Sequence, residues 1–152
     1  FHSLFGSRGW LEGVKQTGRN RTINRQKCQF DQLHNELADE KSMRSKVFTR
    51  YRQLLTARSN TPAFHPHGTQ NILDLHPAVF AVERISPDGK SHALCLHNVS
   101  QHLISFSTNY ESATDLFTSR EIQISNITLE PYQVVWLALS GAKPPKELWS
   151  DK

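Results

Sequence analysis

The sequence has few cysteines and no long apolar run. Only Cys28 and Cys95 occur in 152 residues, and they form neither a C-x-x-C pair nor any other ligand-like spacing. A disulfide framework is therefore not expected, and two reduced thiols are typical of a cytoplasmic protein. No apolar run approaches the roughly 20 residues that a membrane-spanning helix needs. We therefore expect a cytoplasmic protein with no membrane partner.

The motifs of several well-known active sites are also missing. No G-x-S-x-G elbow surrounds a serine, and no G-x-x-x-x-G-K-[ST] loop is present. His65 and His67 invite a metal interpretation, but their spacing would point them in different directions, and no cysteine or carboxylate lies beside them. The sequence therefore predicts no catalytic residue, no metal site and no cofactor in this chain.

Acidic residues are absent from Gly13 to Cys28, GVKQTGRNRTINRQKC, which holds five cations: Lys15, Arg19, Arg21, Arg25 and Lys27. A guanidinium group can bind two acceptors at once, which suits carboxylates, phosphates and vicinal sugar hydroxyls. Glycines in the same stretch let a ligand approach the backbone closely. The segment is therefore a candidate phosphate or sugar site.

Two other interpretations of this basic stretch stay open. Its arginines could pair with carboxylates elsewhere in a solvated loop. Alternatively, the chain could be a small basic binding module for nucleic acid or an anionic polymer. Nucleic-acid sites usually interleave aromatic residues with the cations, and none occurs between Leu11 and Gln29, which argues against that alternative.

The charge is uneven along the chain and indicates two regions. Residues 1–60 carry a net charge of +7, whereas residues 61–152 carry −3. Frequent glycines in residues 6–29 predict a long irregular loop. Asp31 is the predicted N-cap of a short helix. Ser42 is the predicted cap of a longer one, whose apolar stripe consists of Val47, Phe48, Tyr51, Leu54 and Leu55.

The second region contains six strand-length runs: NILDL, AVFAVERI, SHALCLHNV, HLISFS, REIQIS and YQVVWLAL. SPDG at Ser86–Gly89 supplies turn residues for a hairpin between the second and third runs. These runs predict an antiparallel β domain over residues 70–142, preceded by a linker at 61–69 and followed by a surface tail at 143–152. Its predicted core includes Leu94, Leu96, Val134, Trp136 and Leu137.

The order of the motifs resembles a known enzyme family. FHSLFGSRG, LEGVKQTGRNRTINRQK, VFTRYRQLLTARSNTPAFHPHG, LDLHPAVFAVERISPDGK and LCLHNVS follow one another over about residues 2–139. This order is similar to the C-terminal part of the sucrose-phosphorylase-like branch of glycoside hydrolase family 13, in the α-amylase superfamily. The G-R-x-R-x-I-N-R loop is the feature specific to this branch.

The resemblance implies an α+β fragment of a larger protein. Residues 1–60 would supply the end of the last strand, a substrate loop and the last helix of a (β/α)8 barrel, and the antiparallel all-β C-terminal domain would follow. Loops at the C-terminal face of such barrels build the active site. The loop cations would therefore border a substrate pocket.

The resemblance also implies roles for particular residues. In such relatives the arginine of the R-x-I-N-R loop reaches the bound glucosyl unit and pairs with an aspartate of an early barrel loop. That position is Arg21 here, with Thr22 where some relatives have Asp. Arg19 is an additional cation, and Asn24 and Arg25 complete the motif, so these four are the predicted substrate-binding residues.

The implied reaction is retaining transfer of an α-glucosyl group from sucrose or a related α-glucoside to inorganic phosphate, which is a co-substrate rather than a cofactor. The three carboxylates that carry this chemistry precede the last barrel strand in such enzymes. We therefore expect the chain to be inactive alone, to require the remainder of the barrel, and to associate with itself through an exposed apolar face. No nucleic-acid partner is expected.

Overall fold

The computed structural model describes residues 2–139, which fall into two compact units. The division comes after Thr56, inside the third α-helix, whereas the sequence predicts it after residue 60. Residues 140–142 of the predicted β domain and the predicted surface tail, 143–152, lie outside the described residues.

The N-terminal unit is built from helices: α1 (Leu11–Thr17), a 3-10 helix η1 (Asn20–Asn24), α2 (Phe30–Ala38) and α3 (Met43–Asn60). The loop predicted over residues 6–29 is therefore partly wrong, because α1 and η1 lie within it. Ser42 caps α3 as predicted, since its Oγ accepts a hydrogen bond from the Ser45 N–H at 3.0 Å. The N-cap of α2 is Gln29, so that Asp31 lies in its first turn.

The first residues do not form a strand. Residues 2–6 are a series of turns, although the resemblance implies a strand end there. A strand is stabilised by hydrogen bonds to a neighbouring strand, and the described residues of the N-terminal unit include none.

The N-terminal unit has no apolar core among its described residues. No hydrophobic side chain of residues 2–56 is buried, and Met43 and Leu55 are 65% and 50% exposed. The predicted stripe of α3 is therefore partly accessible, which agrees with the expectation of an exposed apolar face. Self-association through this face stays a prediction.

The C-terminal unit is an antiparallel β structure, as predicted. Its strands are β1 (Thr69–Leu73), β2 (Val79–Ile85), β3 (His92–Asn98), β4 (Ile104–Ser107), β5 (Ser112–Asp115), β6 (Glu121–Gln123), β7 (Asn126–Leu129) and β8 (Val134–Leu139). Six form one sheet in the order β1-β2-β3-β8-β5-β6, and β4 pairs with β7. The sequence did not predict β5 and β7, which are short and lack a continuous apolar run.

The predicted hairpin joins β2 and β3. Gly89 adopts a φ of +69° and donates its N–H to the Ser86 carbonyl at 2.9 Å. A left-handed conformation at this position favours glycine because a side chain would be strained there. This part of the prediction is confirmed.

The apolar core of the β unit lies on both faces of β3. Leu94 and Leu96 are fully buried in one cluster, and Ala93 and Cys95 are buried in a second. Because successive side chains of a strand point to opposite faces, this alternation shows that the strand is covered on both sides. The first cluster also takes in Ile127 and Leu129 of β7, the second of which is fully buried.

One predicted core residue is wrong. Val134 is 39% exposed, whereas Leu137 is fully buried, as are the predicted Leu94 and Leu96. On β8 the first core cluster takes Val135 and Leu137, so that Val134 points to the other face. Trp136 also points there, and it packs against the second cluster.

The segment predicted as a linker belongs to the β unit. A 3-10 helix, η2, spans Pro62–Phe64, and Ala63 and Phe64 are buried in the second core cluster. Arg84 holds this segment by donating from Nη2 to the His65 carbonyl at 2.9 Å. Residues 61–64 are therefore packed structure, and β1 follows at Thr69.

Candidate functional site

Helix α1 ends where the basic stretch turns into η1. Gly18 has a φ of +64° and donates its N–H to the Val14 carbonyl at 2.8 Å, which satisfies a terminal carbonyl of the helix. The Thr17 hydroxyl donates to the Gly13 carbonyl at 2.8 Å. Having a single hydrogen, it accepts from the Thr22 hydroxyl at 2.9 Å. Thr22 is buried by this arrangement and fixes η1 against α1.

The residues before α1 are also held against η1. The Trp10 N–H donates to the Ile23 carbonyl at 2.8 Å. A Cβ atom at Gly9 would lie only 3.0 Å from Ile23 Cγ1, and one at Gly13 would lie 2.2 Å from Trp10 Cε3. Glycine is therefore required at Gly13 for the indole to pack on the helix backbone.

The four predicted substrate-binding residues lie in η1 or cap its ends. Arg19 is its N-cap, Arg25 is its C-cap, and Arg21 and Asn24 lie within it. All four are exposed, and their side chains make no hydrogen bond or ion pair with residues 2–139. In a 3-10 helix, residues three apart lie on the same side, so Arg21 and Asn24 share one face.

The structure tests the alternative that the arginines of the basic stretch pair with carboxylates elsewhere in the chain. Of the basic stretch, Lys15 has an ion pair, with Glu12 at 3.9 Å, and both side chains are exposed. Such a pair contributes little stability. Within the part of the chain that the structure describes, the arginines of η1 therefore keep their capacity to bind a ligand.

A cleft of about 640 Å³ opens beside the segment that leads into α1. It contains none of the four predicted residues. Its lining consists of Gly6, Arg8, Gly9, Trp10, Leu11, Glu12, Gln26, Glu36, Ser42, Met43 and Arg44. Two arginines, an aromatic ring and an amide in one concave surface are the kinds of groups that bind polar ligands.

Arg44 lines this cleft, but its guanidinium is held by contacts within the N-terminal unit. Its Nε forms an ion pair with the Glu36 carboxylate, and both side chains are partly buried. Its Nη1 donates to the Phe5 carbonyl at 3.2 Å and to Ser7 Oγ at 3.0 Å. Arg8, by contrast, is exposed and has no such partner among the described residues.

Sequence reasoning did not predict the cleft. The signal was present in GSRGW, where an arginine and a tryptophan follow closely spaced glycines. The hydrogen bond from Trp10 to Ile23, thirteen residues apart in sequence, brings the two segments together.

Several titratable groups of the β unit are buried or partly buried, and they line no cleft comparable to this one among the described residues. The Glu83 carboxylate is 1% exposed, accepts from Asn71 Nδ2 at 3.0 Å and lies 3.5 Å from His92 Nδ1. Burial, together with this carboxylate, raises the pKa of Tyr110. Burial also lowers the pKa of His97.

Residues 2–139 contain no cluster of three histidine, cysteine or carboxylate side chains that could hold a metal ion. His65 and His67 lie with ring centroids 5.5 Å apart, on the turn before β1. None of the described helices is long and apolar enough to cross a membrane. The prediction that the basic stretch does not bind nucleic acid stays untested.

Comparison with known proteins gives no match to a family model. The chain is 44% identical over 135 residues to the glucosylglycerate phosphorylase of Spirochaeta thermophila, a match that covers 87% of this chain and 23% of that protein. It is 33% identical over 135 residues to the glucosylglycerate phosphorylase of Escherichia coli, covering 89% of this chain and 24% of that protein. The chain belongs to glycoside hydrolase family 13.

Solved structures of family members share the fold. The trehalulose synthase MutB from Pseudomonas mesoacidophila MX-45 matches 71% of this chain and 20% of its own length, with a TM-score of 0.55 and 24% identity. The isomaltulose synthase PalI from Klebsiella sp. LX3 gives a TM-score of 0.56 at 18% identity, over 71% of this chain and 19% of its own. The expected fold class, helices followed by an antiparallel β domain from the C-terminal region of the family, is confirmed.

The chain spans about a quarter of the length of the curated relatives it matches. In these glycoside hydrolase family 13 proteins, the remaining length holds most of the molecule.

Proposed function

We propose that this chain is the C-terminal part of a retaining α-glucoside phosphorylase, and that its natural donor is an α-glucoside of glycerate. The observation that carries the proposal is the 44% identity over 135 residues with a glucosylglycerate phosphorylase. Arg19, Arg21 and Arg25, which are exposed and have no side-chain partner among residues 2–139, support it, because guanidinium groups suit sugar hydroxyls and phosphate. The two free cysteines, Cys28 and Cys95, fit a cytoplasmic location.

In the proposed reaction, the bond between the anomeric carbon and the glycosidic oxygen breaks, and the departing oxygen takes a proton. A new bond forms between the anomeric carbon and a phosphate oxygen, which loses its proton. Retention requires two successive displacements at the anomeric carbon, with a carboxylate as the first nucleophile. That carboxylate and the acid–base residue would come from the part of the relatives that this chain does not span.

The proposed role of this chain is to supply one wall of the substrate pocket and a supporting β domain. Arg21 would donate charge-assisted hydrogen bonds to the glucosyl unit, with Asn24 on the same face of η1. Arg19 and Arg25, which flank η1, would add positive potential for phosphate.

The test uses the full-length polypeptide that contains this chain, assayed for glucose 1-phosphate formation from glucosylglycerate, sucrose and phosphate. We expect glucosylglycerate to be the preferred donor. Arg21→Ala should lower kcat/KM, and the loss should correspond to about 2 to 4 kcal/mol of transition-state stabilisation. The reason is that the sugar oxygen bound by Arg21 would be left without a donor. Arg21→Lys should recover little, since an ammonium group cannot reproduce the two-pronged geometry.

The matched control is Lys15→Ala, which removes an exposed cation of the same basic stretch that already pairs with Glu12. Equal small effects of the two changes would mean that the stretch supplies only diffuse charge. Absence of any phosphorolysis of glucosylglycerate would contradict the proposed donor.

A further inference from the structure

We propose that Arg8 is the residue that binds the carboxylate of the acceptor, and that it thereby selects an acidic acceptor over a neutral one. This inference rests on the proposed function, since it concerns the glycerate part of the proposed donor. It comes from the cleft beside α1, whose lining includes none of the four predicted substrate-binding residues.

The backbone around Arg8 is fixed on both sides. On one side, Arg44 donates to the Phe5 carbonyl at 3.2 Å and to Ser7 Oγ at 3.0 Å. A Cβ atom at Gly6 would lie 2.9 Å from Val47 Cγ2, so the chain there lies directly against α3. Arg8 therefore projects from a backbone whose position does not depend on its own side chain.

On the other side, the backbone is held by η1. Trp10 donates its N–H to the Ile23 carbonyl at 2.8 Å, and Gly9 packs so closely that a Cβ atom would lie 3.0 Å from Ile23. Ile23 is two residues from Arg21 on the same short helix. The base of the Arg8 side chain therefore lies next to the element that carries the proposed glucosyl-binding arginine, which is where an adjoining subsite would be.

The charged residues that line the cleft differ in whether they have an ion-pair partner. Arg44 is neutralised by Glu36. Glu12, which also lines the cleft, lies 3.9 Å from Lys15. Arg8 is the cation of the lining that has no partner among residues 2–139, and its guanidinium is free to form a two-pronged contact with a carboxylate.

The rest of the lining suits a small hydroxy acid. Gln26, which is exposed, can both donate to and accept from hydroxyl groups. The Trp10 ring rests on Gly13 and is thereby held in place at the cleft wall. A cation, an amide and an aromatic wall together match a carboxylate and hydroxyls on a short carbon skeleton.

The experiment compares acceptors in the synthesis direction, with glucose 1-phosphate as the donor and the full-length polypeptide as the enzyme. Glycerate and glycerol differ by a carboxylate in place of a hydroxymethyl group, and they are the two acceptors. We expect Arg8→Gln to raise the KM for glycerate roughly tenfold to 100-fold, with a smaller effect on kcat and little effect with glycerol, because a charge-assisted pair is lost. Arg8→Lys should retain part of the preference.

Arg52→Gln serves as the matched control, because Arg52 is an exposed arginine of α3 outside the cleft. It should leave the KM and kcat for both glycerate and glycerol unchanged. Losses of equal size with glycerate and glycerol in Arg8→Gln would mean that Arg8 supports structure only, and an unchanged preference would mean that it does not meet the acceptor. Either result would overturn the inference about Arg8 and leave the proposed function standing. A wild-type enzyme that does not prefer glycerate to glycerol would overturn the proposed function, and the inference with it.

Discussion

Asn98 connects several strand ends of the β unit, and its replacement should be unusually costly. The side chain is 3% exposed. Its Nδ2 donates to the carbonyls of His102 at 2.7 Å, Glu130 at 2.9 Å and Leu129 at 3.3 Å. Its Oδ1 accepts from the backbone N–H of Ser100 at 2.9 Å and from the Ser100 hydroxyl at 2.8 Å. The amide thus fixes the turn after β3 to the end of β7.

The magnitude follows from these bonds. An amide nitrogen has two hydrogens, so the three donated contacts amount to two full hydrogen bonds, and the N–H and hydroxyl of Ser100 add two more. At about 1 kcal/mol net for each bond, Asn98→Ala should lower the free energy of unfolding by about 2 to 4 kcal/mol. Asn98→Asp should cost at least as much, because a carboxylate cannot donate and would face the carbonyl oxygens.

The assay is urea unfolding of the chain, followed by far-ultraviolet circular dichroism. Asn126→Ala is the control, because Asn126 is an exposed asparagine of β7 that accepts one hydrogen bond, from the Ser107 hydroxyl at 2.7 Å. That change should cost about 0.5 kcal/mol or less. If Asn98→Ala were no more destabilising than Asn126→Ala, or if Asn98→Asp were neutral, the described role of Asn98 would be refuted.

Three further changes test other parts of the structure. Gly13→Ala should destabilise the chain by about 1 to 3 kcal/mol, although alanine favours helices by about 1 kcal/mol, because its methyl carbon would lie 2.2 Å from Trp10 Cε3; a higher urea midpoint would contradict this. Burial raises the pKa of Cys95 to about 12, so a thiol reagent at pH 8 should modify Cys28 first and reach Cys95 only after unfolding, and equal rates would be evidence against its enclosure. Burial lowers the pKa of His97 from 6.5, so the unfolded state binds the proton more readily and stability should fall as the pH drops below about 6.5. His97→Gln should flatten that part of the melting-temperature profile, and an unchanged slope would show that other groups cause it.

Local sequence signals were sufficient where one short segment decides its own structure. Ser42 predicts the start of α3 because its hydroxyl can satisfy a free N–H of the first turn. SPDG predicts the β2–β3 hairpin because Gly89 tolerates a left-handed conformation. Alternating apolar runs predict six of the eight strands, including the fully buried Leu94 and Leu96.

Prediction failed where a segment depends on a distant partner. The glycines of residues 6–29 suggest an irregular loop, but Gly9 packs against Ile23, and the Trp10 N–H donates to the Ile23 carbonyl. Val134 belongs to an apolar run, but the face it takes is set by pairing with β3. Residues 61–64 resemble a linker in the sequence because Pro62 and Pro66 are close together there, yet Ala63 is fully buried.

The candidate site divides in the same way. Composition alone shows an arginine-rich stretch without acidic residues, and the resemblance to the family then implies Arg19, Arg21, Asn24 and Arg25 as its substrate-binding residues. No pattern in the sequence distinguishes Arg8 from the other arginines. Only the tertiary structure placed it in the cleft beside α1, since contacts between residues far apart in the chain, such as Trp10 with Ile23 and Arg44 with Ser7, fix its backbone there.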